Sequence, residues 1–161
     1  MSLVRRFARP MLASIFVVGG IDTLRNPGPR VAMASSVAPK LARSLPIPDD
    51  TELLVKVNAG VQVGAGALLT VGRLPRLAAL ALASSLVPTT LAGHRFWEED
   101  DAAKKAQQQV HFLKNVSALG GLLIAACDTG GAPSLAWRAR RAAGRGRGAV
   151  GDALSSVSAN G

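Results

Sequence analysis

The chain alternates long apolar runs with short polar punctuation, and four runs approach the roughly 20 residues needed to cross a hydrocarbon core. They cover about 10–24 (PMLASIFVVGGIDTL), 53–71 (LLVKVNAGVQVGAGALLTV), 74–93 (LPRLAALALASSLVPTTLAG) and 110–127 (VHFLKNVSALGGLLIAAC). The first two are short for a span, and the set persuades only as a set. The alternative is a water-soluble helical bundle, whose helices should each carry a polar stripe. Between Leu77 and Val87 the only polar residues are two serines. The pattern therefore predicts an all-α integral membrane bundle of four transmembrane helices over residues 1–137.

The connections differ in kind. Residues 25–52 form a long loop punctuated by Pro27, Pro29, Pro39, Pro46 and Pro48. Arg30 to Leu45 is expected either as a short interfacial helix or as a plain linker. Gly72-Arg73 is a tight turn, so the second and third helices should form an antiparallel hairpin. Residues 138–161 are rich in Arg, Gly, Ala and Ser with no apolar period and read as a basic disordered tail.

Composition strengthens the membrane reading: 48% of residues are hydrophobic and 18% charged, but only 4% are aromatic. Such an Ala, Leu, Val and Gly mixture suits helices whose backbones approach closely in lipid. Gly60 and Gly64 form a small-xxx-small pattern that permits such contact. The net charge of +9 would suggest nucleic acid if it formed one patch beside aromatics. Its bases instead flank the apolar runs, so nucleic acid is the weaker partner and the lipid bilayer the stronger.

Orientation follows from where those bases lie, because Lys and Arg in the flanks stay cytoplasmic. With the amino end inside, ten bases fall on the cytoplasmic side: Arg5, Arg6, Arg9, Arg73, Arg76 and five in the tail, opposed there by Asp152. On the outer side seven bases face seven acids. Both ends are thus expected in the cytoplasm. A signal peptide is the competing reading of the start, since Ala32-Met33-Ala34 resembles a cleavage site. Asp22 to Arg30 separates that tripeptide from the apolar run by too much polar chain.

Candidate chemistry lies in the polar residues at membrane depth, which are costly and call for a partner or a function. In this topology Asp22, Asn58, Gln62, Thr89, Thr90, His94, His111, Lys114 and Asn115 all fall in one outer layer. Spacings of three and four place Asn58 with Gln62, Thr90 with His94, and His111 with Lys114 and Asn115 on shared helix faces. Asp22 and Lys114 are expected to neutralise each other. Pro88 frees a backbone carbonyl that the hydroxyls of Thr89 and Thr90 are placed to satisfy. The layer is either a ligand site or polar glue between helices.

His94 and His111 have no carboxylate, cysteine or third histidine at metal-ligand spacing, so no metal is expected. The single Cys127 excludes an intrachain disulfide and reads as packing. Phe96-Trp97 and Trp137 read as interfacial anchors. No nucleotide-binding or hydrolase motif is present.

Taken jointly, several segments resemble the DoxX family of small four-helix bacterial membrane proteins. They are Arg9-Pro10-Met11-Leu12-Ala13, Gly19-Gly20-Ile21-Asp22-Thr23-Leu24, Val57 through Gly66, Gly72-Arg73-Leu74-Pro75-Arg76, Pro88 through Trp97, His111-Phe112-Leu113-Lys114-Asn115 and Gly120-Gly121. The resemblance covers residues 5 to 138. It implies a membrane subunit or scaffold that docks soluble redox proteins and is associated with oxidative stress. It also implies a second reading, a quinone- or small-lipid-binding oxidoreductase subunit. There Lys114, His111, His94 or Asn115 would donate hydrogen bonds to quinone carbonyls. The chain has no haem, flavin or iron-sulfur motif of its own. A small transporter ranks lower, because the inner half shows no polar path and four helices are few unless the chain forms a homo-oligomer.

Overall fold

The helices begin and end where local chemistry dictates, which is not always where the apolar runs do. The computed structural model describes residues 3–44 and 48–128. The expectations for the tail and for Trp137 lie outside the described residues. Met1–Cys127 forms one compact unit. Its elements in order are α1 (Leu3–Arg25), α2 (Gly28–Ala34), α3 (Ala38–Ser44), α4 (Thr51–Val71), α5 (Pro75–Gly93), a short 3-10 turn (Phe96–Glu98) and α6 (Ala102–Cys127), with no strand among the described residues. Four helices are long and apolar enough to cross a membrane.

α1 and α6 each start about two turns before their apolar runs. Arg, Lys, Gln and Ala are good helix formers, so the basic and polar flanks stay helical. At α6 the start is set by Asp101, whose side chain accepts from the Lys104 amide at 2.8 Å. Asp50 caps α4 in the same way, accepting from the Leu53 amide at 3.0 Å. Over Arg30–Leu45, where the sequence leaves a short interfacial helix or a plain linker open, the chain forms two seven-residue helices broken at Ser35–Val37. Pro39, in the first turn of α3, supplies no N–H to carry a helix through the break.

The predicted hairpin of α4 and α5 is present. Gly72 adopts the left-handed conformation (φ 73°) that glycine tolerates. Its amide and that of Arg73 return to the carbonyls of Leu69 and Leu68, which closes α4 as a Schellman turn. Pro75 then opens α5.

α5 is the central helix, with Ala78, Ala79, Leu82, Ala83, Ser85, Leu86 and Thr90 buried around two faces. α4 lies on one side of it and α6 on the other, while α1 packs against α4. The buried residues of α1 fall at 9, 13, 16, 20 and 23, alternating steps of four and three that make one seam. The seam is tight at two glycines. A Cβ on Gly20 would lie 2.8 Å from Val63 Cγ2 and 2.9 Å from the Ala59 carbonyl oxygen. One on Gly66 would lie 2.6 Å from Val17 Cγ2. Gly60 and Gly64 have nothing within 4 Å of such a Cβ, so the small-xxx-small pair is not the contact face.

The outer surfaces of the bundle are apolar. Met11 on α1 and Ile124 on α6 are each 75% exposed, in company with Val18, Leu113 and Val116. Faces of this kind suit lipid and would be a liability in water. Cys127 is exposed, contrary to its expected packing role.

Candidate functional site

Thr89 and Thr90 are neighbours on α5, so their side chains leave the helix about 100° apart and reach different partners. Thr89 turns to α4. Its Oγ1 accepts from Asn58 Nδ2 at 3.1 Å and from Gln62 Nε2 at 3.5 Å, while Gln62 Nε2 also donates to Ser85 Oγ at 3.0 Å. Thr90 turns to α6 and accepts from Asn115 Nδ2 at 3.0 Å. Each threonine hydroxyl donates its own proton one turn back along α5, Thr89 to the Ser85 carbonyl at 2.9 Å and Thr90 to the Leu86 carbonyl at 2.8 Å. Neither proton goes to the carbonyl of Ser84, the one that Pro88 leaves without its usual N–H.

A second polar group sits at the ends of α5 and α6. His94 Nδ1 and Gln108 Oε1 are 2.7 Å apart. The amide oxygen can only accept, so Nδ1 carries the proton in this contact. The imidazoles of His94 and His111 stack with centroids 5.1 Å apart, and Lys114 Nζ lies 3.3 Å from His111 Nδ1. Phe96, Trp97 and Phe112 meet edge to face beside them, with centroids 5.2 to 5.9 Å apart.

The expected Asp22–Lys114 pair is not formed. Asp22 faces Arg30 of α2 at 3.5 Å with both side chains well exposed, and Lys114 stands with His111. Asp22 lies on the part of α1 that turns towards the α2 segment, so its rotational position directs it away from α6.

Between the helices lies a cavity of about 690 Å³. Its walls come from Ile15 to Thr23 of α1, Leu54 to Gln62 of α4, Ala81 to His94 of α5, and Lys114 to Ala118 of α6. All of these belong to the half of the bundle where α1 and α5 end and α4 and α6 enter the membrane. Arg30, Met33 and Ala34 of α2 and Ala38 of α3 line it from the connecting segment. Arg95 holds that segment by donating to Ser36 Oγ and pairing with Glu98 at 2.9 Å. Towards the Gly72 turn the bundle closes, since a Cβ on Gly121 would lie 3.3 Å from Leu12 Cδ1.

Of the nine candidate residues, Asn58, Gln62, Thr89, His94, Lys114 and Asn115 line this cavity, whereas Asp22, Thr90 and His111 do not. Asn115 spends one N–H on Thr90 and keeps the other, while His111 stands beside Lys114 without lining the cavity. Three participants were not anticipated. Ser85 was hidden in an otherwise apolar stretch, Gln108 lay ahead of the fourth apolar run, and Arg30 sat in the loop. The i, i+4 pairing of Gln108 with Phe112 and His111 with Asn115 on a helix begun by Asp101 is the signal that extends α6 far enough to include Gln108. Among the described residues no group of three or more His, Cys, Asp or Glu side chains is disposed to hold a metal.

A protein-family model described as DoxX matches residues 5–95, from the first turn of α1 to just beyond the end of α5. α6, with the segments His111 to Asn115 and Gly120-Gly121 that carry part of the resemblance, lies beyond that match. No curated protein and no solved structure matches the chain.

Proposed function

Since the chain belongs to the DoxX family, a multi-pass membrane protein by its helices, we propose that it binds a lipid-soluble molecule, a quinone or small lipid, in the cavity between its four spanning helices. The observation that carries this reading is the cavity itself. About 690 Å³ is ample for a substituted ring with part of a tail. Its walls are mostly apolar, interrupted by the carboxamides of Asn58, Gln62 and Asn115, the hydroxyls of Thr23, Ser84, Ser85 and Thr89, and His94, Lys114 and Arg30, which is the mixture that holds an amphipathic ligand in one orientation. A bound quinone would supply the redox chemistry, and these side chains would hold and orient its ring.

The second reading, a scaffold for soluble redox proteins, draws support from the polar bonds that tie α4 and α6 to α5. Such bonds hold helices together whether or not a ligand is present. In both readings the protein sits in the bacterial inner membrane with its amino and carboxyl ends in the cytoplasm, and the cavity faces the outer leaflet.

Thermal unfolding of the detergent-purified chain with a quinone series separates the two, because a ligand that binds the folded state raises its stability by mass action. The ligand reading expects a concentration-dependent rise that is reduced in Ser84→Phe, which puts a ring into the cavity, and weakened in Lys114→Ala. No rise with any member of the series would leave the scaffold, tested next by capture of partner proteins.

A further inference from the structure

Resting on the ligand-binding reading above, we propose that the cavity selects a ligand that donates hydrogen bonds, a lipid-soluble hydroxyl compound such as a quinol, and that the side-chain oxygen of Gln62 is the acceptor that selects it.

The direction of the hydrogen bonds carries the inference. The Thr89 proton is committed to the Ser85 carbonyl, so Thr89 offers only lone pairs to α4. The amide nitrogens of Asn58 and Gln62 are therefore the atoms turned towards it, and their oxygens point elsewhere. Gln62 spends Nε2 on two acceptors, Ser85 and Thr89, which uses both of its N–H groups. Its Oε1 has no partner in the bundle, although the residue is only 9% exposed. That oxygen is not sealed off, since it is not among the fully buried side-chain polar atoms that lack a hydrogen bond. Gln62 lines the cavity, so the accessible side of Oε1 is the cavity side.

Gln62 is thus a pure acceptor at membrane depth, in surroundings where an unmet acceptor is costly. Acceptance is particular to Gln62: Asn58 and Asn115 each spend one N–H on a threonine and keep the other, and Lys114 and Arg30 on the cavity wall are donors. A quinone brings only carbonyl oxygens, which would face Gln62 oxygen to oxygen. A quinol, or the free hydroxyl of a lipid such as a diacylglycerol, brings the proton that this oxygen lacks.

The test compares ligands that differ in the proton alone. The full chain in detergent is titrated under anaerobic conditions with a decyl benzoquinol, the matching quinone and the quinol's dimethyl ether. Didecanoylglycerol and its O-methyl ether form a second series, with the reductant alone as control, and affinities are taken from the shift in melting temperature. The expected result is a hydroxyl compound binding at least about tenfold more tightly than its ether or carbonyl counterpart, the size of one or two net hydrogen bonds. The preference should fall to within about threefold in Gln62→Met and persist in Ser85→Ala, which leaves Gln62 bonded to Thr89. If Gln62→Met does not fold, the wild-type comparison of quinol with its ether decides alone.

Preference for the glycerol series over the quinol series would keep the donor rule and assign the ligand to lipid. Equal or tighter binding of the quinone, or a preference unchanged in folded Gln62→Met, would overturn the selection while leaving ligand binding intact. No shift with any compound would overturn both.

Discussion

The Nε–H of Arg76, in the first turn of α5, donates to the carbonyl oxygen of Ala126 in the last turn of α6 at 2.8 Å. It thereby satisfies one of the carbonyls a helix leaves open at its end and sets a positive charge at the negative pole of α6. Arg76→Ala should lower stability by about 1 kcal/mol, and Arg76→Lys should recover part of that through charge alone. Thermal unfolding in detergent measures both.

The α1–α4 seam should be intolerant at two positions and indifferent at two others. Gly20→Ala and Gly66→Ala force a methyl into Val63 and Val17 respectively, at a cost of about 1–3 kcal/mol. Gly60→Ala and Gly64→Ala meet nothing and should be neutral or slightly stabilising, because alanine is the better helix former. Equal losses at all four would mean a different helix face is buried.

Asn115 and Thr90 should be energetically coupled across α5 and α6. A double-mutant cycle of Asn115→Leu and Thr90→Val is expected to return about 0.6 kcal/mol, the usual size of a polar contact between membrane helices. Additive losses would remove the bond from the account of the bundle.

Asp22 makes an exposed pair with Arg30. Asp22→Ala should therefore change stability by less than about 1 kcal/mol, and its effect should add simply to that of Lys114→Ala. A double variant more stable than either single one would restore the pairing inferred from sequence.

The positions of the four helices were legible because lipid demands length and apolarity, and both are written linearly in the chain. Their ends were less so. Arg5 and Arg6 extend α1, and Lys104 to Gln109 extend α6, because helix propensity does not stop at the apolar boundary. Faces were legible too: Asn58 and Gln62, four apart, do act on one partner, Thr89. What the pattern did not contain is the rotation of one helix against another. That rotation sends Asp22 to Arg30 rather than Lys114, turns Gly60 and Gly64 outward, and leaves His111 off the cavity wall. Ser85 went unnoticed for a related reason, since a serine in an apolar run gains meaning only from the glutamine opposite.

Leu12 against Gly121 closes the bundle on one side of the cavity, and the α2–α3 segment with its Arg95 tether covers the other. A vessel stoppered at one end fills and empties from one side, so a ligand of the kind proposed above would enter and leave the cavity by the same way.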